Sequence, residues 1–145
     1  MAIHSAKGAL LQFSTTLEGS AATYVTVGQV RSIAGPSTKT TVQDVTTHST
    51  AGNWMNKLAT LIDPGDLTFP INWDPADTTH QFATGMWIQL VQLSQNFWKL
   101  IFFASAGTLT FLGFVTQHAY NVPVDNVLSA NIQITVNGQI TGTNP

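Results

Sequence analysis

From Leu128 to Val136 every second residue is apolar. Leu128, Ala130, Ile132, Ile134 and Val136, with Ile140 further on, point one way, while Ser129, Asn131, Gln133, Thr135, Asn137 and Gln139 point the other. A period of two is the signature of a β-strand with one buried face. The opposite face consists of amides and hydroxyls and carries no charge. That feature runs through the chain: only 8% of residues are charged, against about 25% in ordinary soluble domains. A surface coated with Thr, Ser, Asn, Gln and apolar groups offers little repulsion between copies, so the composition predicts self-association. At 145 residues the chain is long enough for one domain with its own core.

Further alternations predict a mainly β fold. Leu67, Phe69, Ile71 and Trp73 share a face opposite Asp66, Thr68 and Asn72. Pro70 lacks the N–H a central strand needs, so this strand belongs at an edge or a bulge. From Tyr24 to Ile33 the phase shifts at Gly28-Gln29, which predicts a bulge; this strand is expected to pair with residues 38–46 across Gly35-Pro36. Residues 97–115 are apolar enough to suggest a membrane span, but Lys99 interrupts them and Ser105-Ala106-Gly107 divides them into two strand-length runs. A hairpin that needs cover on both faces is the better reading, with no membrane insertion.

One helix is expected over about 75–93. Asp74 suits its N-cap, Pro75 its first position and Asp77 its first turn, and Phe82, Met86, Leu90 and Leu93 recur at helical spacing. The predicted architecture is a β-sandwich of two packed antiparallel sheets flanked by this helix. Residues 1–8 read as an N-terminal arm, 9–140 as the single domain and 141–145 as a short tail. No signal-peptide apolar stretch opens the sequence.

Residues 46–62 show no clean period, yet they carry Trp54, Met55, Leu58 and Leu61. A long loop within a compact domain usually serves a function, and aromatic and Met side chains are enriched at interfaces. These four residues are therefore candidate inter-subunit contacts. The alternative is that they fold back on their own core.

Little points to catalysis. The four histidines (His4, His48, His80, His118) have no metal-ligand spacing and there is no cysteine, so neither metal nor cofactor is expected. His80 and Asp77 could form a ligand pair, but capping explains them better. No nucleophile elbow, phosphate-cradling loop or dinucleotide fingerprint occurs. Asp63-Pro64-Gly65-Asp66 reads as a type II turn, with Pro64 second and Gly65 at positive φ. No Lys/Arg cluster exists to grip phosphate.

In order, the chain presents VGQVRSIAGPS, then VTTHST, a Trp-bearing loop, IDPGDLTFPINWDP, a helical stretch, an apolar hairpin ending FLGFVTQHAYNVPVDNV, and LSANIQITVNGQI. Over about residues 25–140 this resembles the tail tube (major tail) proteins of siphophages. The family has a Gly-rich first hairpin, a Val-Thr-Thr segment entering a long loop, a D-P-G turn before a strand ending near N-x-D-P, and a closing strand ending in a Gly motif such as Val136-Asn137-Gly138. The stretch from the helix through the hairpin is unusually rich in Trp and Phe.

The resemblance implies a β-sandwich flanked by a helix, and hexameric rings that stack so that strands of all subunits close one inner barrel. Through this conduit the virion ejects its DNA. It implies tape-measure, tail-tip and tail terminator partners, assembly in the bacterial host cytoplasm and a final place in the virion tail. Six copies at −2 each would make a ring of −12, mildly repulsive to DNA, and Asn131, Gln133 and Thr135 are candidate lumen-facing residues. Two other readings stay open: a related virion part such as a tail terminator or secretion-tube homologue, and a carbohydrate-binding sandwich with Trp54, Trp73, Trp87 and Trp98 as its platform.

Overall fold

The computed structural model describes residues 7–14, 24–103 and 107–144. Most of the expected arm, residues 1–6, lies outside them. The elements are β1 (Leu10–Ser14), β2 (Val25–Thr26), β3 (Lys39–Asp44), β4 (Lys57–Asp63), β5 (Asp66–Asn72), α1 (Met86–Val91), β6 (Gln95–Phe103), β7 (Gly107–Asn121) and β8 (Ser129–Thr143). Six strands form one antiparallel sheet in the order β2-β1-β6-β7-β8-β5, and β3 with β4 forms a separate pair.

The two walls expected of a sandwich are both cut from this one curled sheet. Phe69 of β5 and Trp98 of β6 meet at a ring separation of 6.5 Å, although β7 and β8 lie between their strands. Phe13 stacks on the other side of Trp98 at 5.2 Å. The inward residues are those the alternation selects: Leu67, Phe69, Ile71, Ala130, Ile132 and Ile134 are all at most 1% exposed. β5 lies at the sheet's edge, as Pro70 requires. β8 continues to Thr143, opposite Thr108, so residues 141–143 are strand rather than tail.

The first hairpin differs from expectation. Gln29 does take a positive φ of 59°, as a bulge would, but the chain does not turn back at Gly35-Pro36. It runs on beside β5 and then β4, through Val30↔Ile71, Ala34↔Thr68, Lys39↔Asp63 and Asp44↔Lys57. The whole stretch 30–44 thus faces one continuous ribbon. Pro64-Gly65 makes an irregularity within that ribbon and does not reverse it. Gly65 has the expected positive φ of 78°, and a Cβ there would sit 2.2 Å from the Ser37 carbonyl oxygen, so only glycine fits. The expected loop over 46–62 shortens to 45–56, because Lys57–Asp63 pairs with β3.

The helix is also shorter, six residues instead of the expected 75–93. Side chains compete for the backbone before it starts. Asp74 Oδ1 accepts the Ala76 N–H at 3.0 Å, and Asp77 Oδ1 accepts the Thr79 N–H and hydroxyl at 2.9 and 2.6 Å. These bonds wind residues 74–85 into turns, so Asp74 and Pro75 shape a turn and cap no helix. Met86 is fully buried, but Phe82 is 58% and Leu93 84% exposed.

Candidate assembly surfaces

The β3–β4 ribbon is exposed along its entire length on both faces. Val42, Leu58, Leu61 and Ile62 stand 51–72% exposed along it, and Trp54 and Met55 in the tip loop 82% and 61%. A two-stranded ribbon is at best marginal by itself in water, and this one covers none of its apolar side chains. Its tip is nonetheless built. Asp44 Oδ1 accepts the Thr46 hydroxyl at 2.6 Å and the Thr46 N–H at 2.9 Å. The hydroxyl first, then the N–H, holds the Asp44 carboxyl below its ordinary range. Asn56 N–H closes the loop neck by donating to the Thr46 hydroxyl at 2.9 Å.

All four sequence-predicted contact residues therefore lie on this feature, Trp54 and Met55 in the loop and Leu58 and Leu61 on β4. The sequence reading missed Val42 and Ile62. Their signal was present: a strand with neither face buried shows no alternation, which is what 57–63 displays.

Asn131, Gln133 and Thr135 share the outer face of β8. Gln133 Nε2 donates to Asp66 Oδ2 at 2.9 Å, and the Thr135 hydroxyl donates to that of Thr116 at 3.3 Å. This face is a lattice of amides and hydroxyls with Asp66 at its border, polar enough to hold water and, among the described residues of β5 and β8, without a cation to hold phosphate.

The four tryptophans do not converge. Trp98 is in the core and Trp54 on the ribbon tip. Trp73 and Trp87 join Phe82, His118 and Tyr120 in a packed cluster, with Trp73–Tyr120 at 5.3 Å and Trp87–His118 at 5.8 Å. Burial pushes the His118 imidazole below its ordinary pKa and raises that of the Tyr120 phenol. Neither buried ring nitrogen of His118 has a hydrogen-bond partner among the described residues.

His80, by contrast, is satisfied twice. Its Nδ1 accepts the Asp74 N–H at 2.9 Å and its Nε2 donates to the Gly28 carbonyl at 2.8 Å. It ties the turns after β5 to the bulge after β2 and binds no neighbouring acid. A Cβ at Gly28 would land 1.7 Å from Asp77 Oδ2, so a larger residue there would push the Asp77 carboxylate aside. Among the described residues no three metal-ligating side chains come together.

Solved structures share this fold. The tail of an empty gene transfer agent particle, refined with C6 helical symmetry, matches with a TM-score of 0.75 at 16% identity over 97% of this chain and 99% of that one. A sheath/tube terminator of an extracellular contractile injection system matches at 0.71 and 11% identity, over 99% and 98%. The SPP1 tail tube matches at 0.69 and 7% identity, over 99% and 80%. No individually curated protein matches the sequence. The family model of the lambda phage tail tube protein matches residues 7–143. The chain belongs to the lambda phage tail tube protein family.

Proposed function

We propose that this virion tail-tube protein stacks as rings of six into the wall of a tail tube through which the phage genome leaves. The observation that supports it most is the β3–β4 ribbon, whose two faces are apolar and uncovered in one copy and would be covered in a ring or stack. The ring-building domain runs from residue 9 to the end of β8 at Thr143, with the 1–8 arm attached to it. Trp54, Met55, Leu58 and Leu61 pack against neighbouring copies, and Pro64 and Gly65 set the angle at which the ribbon leaves the body.

Asn131, Gln133 and Thr135 line the bore, where neutral polar groups let DNA slide without being held. The chain itself catalyses nothing. A tape-measure protein sets the length, tip and terminator proteins close the ends, and assembly takes place in the bacterial host cytoplasm.

Negative-stain electron microscopy across a concentration series tests this. Hollow tubes or stacked rings with a bore wide enough for a duplex are expected. Single rings that never stack would favour a terminator, and a monomer at every concentration would refute self-assembly. Lysine at 131, 133 and 135 is expected to slow DNA ejection from virions of normal tail length; unchanged kinetics would remove these residues from the bore.

A further inference from the structure

Leu67 is fully buried in the body, whereas the Lys39↔Asp63 pair already stands exposed in the ribbon. Between them the regular ladder is interrupted on both strands at the same level, at Gly35-Pro36 on one and Pro64-Gly65 on the other. The interruption has no slack. From Ala34↔Thr68 to Lys39↔Asp63 each strand advances five residues, 34 to 39 and 68 to 63, so neither carries an extra residue that could work as a loop.

Several constraints meet at this joint. Both glycines take positive φ, 108° at Gly35 and 78° at Gly65, a conformation that residues with a Cβ rarely adopt. The prolines beside them have a fixed φ. The strands also press on each other reciprocally: a Cβ at Gly35 would strike the Asp66 carbonyl oxygen, and one at Gly65 the Ser37 carbonyl oxygen. Two hydrogen bonds cross the break, from the Ser37 N–H to the Asp66 carbonyl at 3.3 Å and from the Thr38 hydroxyl to the Pro64 carbonyl at 3.4 Å. A third strand holds it too, since the Val136 N–H of β8 donates to the Gly65 carbonyl at 3.1 Å.

Resting on the tube reading, we propose that Gly35 and Gly65 are positioning residues for assembly: their joint is rigid and holds the ribbon at one angle to β8 in the single copy, before copies meet. A hinge absorbs its motion in a few residues free to change φ and ψ. Here opposing carbonyls fill the space such changes would need, and β8 fastens the joint from the side. Each copy then arrives with Trp54, Met55, Leu58 and Leu61 already aimed, and loses little orienting entropy on association. Because β8 also carries Asn131, Gln133 and Thr135, the same joint fixes the contacts between copies relative to the bore.

The chain has no cysteine, so Gln43→Cys on the ribbon and Gln117→Cys on β7, both exposed, accept a pair of spin labels. Their separation, read by pulsed electron paramagnetic resonance in unassembled protein, should be a single narrow peak. The same peak is expected when the labelled chain is diluted into tubes of unlabelled protein. A broad distribution that narrows only in tubes overturns the proposal, because the ribbon would then be a hinged arm ordered by its neighbours.

Gly35→Ala and Gly65→Ala should each broaden or displace that peak and lower the yield of sedimenting tubes about tenfold, with the near-UV circular dichroism of the body retained. Gly138→Ala is the matched control. Its φ is 82°, but nothing lies within 4 Å of the added Cβ, so peak and yield should hold. Unchanged peaks in both joint variants overturn the positioning role. A narrow wild-type peak in a protein that never forms tubes overturns the tube reading and leaves the rigid joint standing.

Discussion

The β5–β8 pair and the β3–β4 ribbon are both antiparallel ladders, yet they use apolar residues in opposite ways. In the first, Leu67, Phe69 and Ile71 are at most 1% exposed; in the second, Leu58, Leu61 and Ile62 are 55–72% exposed. Burying one such side chain contributes about 1.5–3 kcal/mol. The body gains that free energy within a single copy. The ribbon gains it only when something covers it, so on the proposed reading body stability and assembly reside in different residues of one chain.

The largest expected effect sharpens this division. Ile134→Ala should cost the body about 2–5 kcal/mol, read by denaturant unfolding of unassembled protein, whereas Leu61→Ala should stay within about 0.5 kcal/mol of wild type. Equal losses would mean the ribbon already packs on its own body, and the comparison would collapse. Next, Leu61→Asp should leave unassembled unfolding unchanged while weakening tube formation roughly a hundredfold, since a carboxylate would be buried unpaired between copies. Tubes of normal yield from this variant would show that the ribbon face stays wet.

The smallest effect concerns the body alone. His118 titrates below its ordinary value of 6.5, chiefly through burial, with His80 acting in the same direction. The unfolded chain then takes up the proton first. Stability should be full above about pH 6.5 and decline as pH falls below it. His118→Phe should flatten the melting-temperature profile between about pH 7 and 5; an unchanged slope would place the acid sensitivity elsewhere.

Alternation identifies every buried apolar position of β5 and β8 in the sequence, because a side chain's face follows from backbone geometry alone. Pro70 similarly marks an edge through its missing N–H, and Gly65 a positive φ. The candidate contact residues were legible only as apolar groups without a period, since that lack of pattern is itself the mark of a strand with no buried face. The helix extent was not legible. Phe82 and Leu93 kept helical spacing, but Asp74 and Asp77 bonded the backbone of 76 and 79 into turns.

By itself, then, the sequence determined which residues face inward, where glycine and proline constrain the backbone, and that too few charges exist to keep copies apart. Only the tertiary structure decided that residues 30–44 run on beside β5 and β4, and that the helix is confined to Met86–Val91. Local propensity acts over a few residues, whereas strand partnership and the placing of distant loops depend on contacts between residues tens of positions apart, whose energies appear only when the chain has closed on itself.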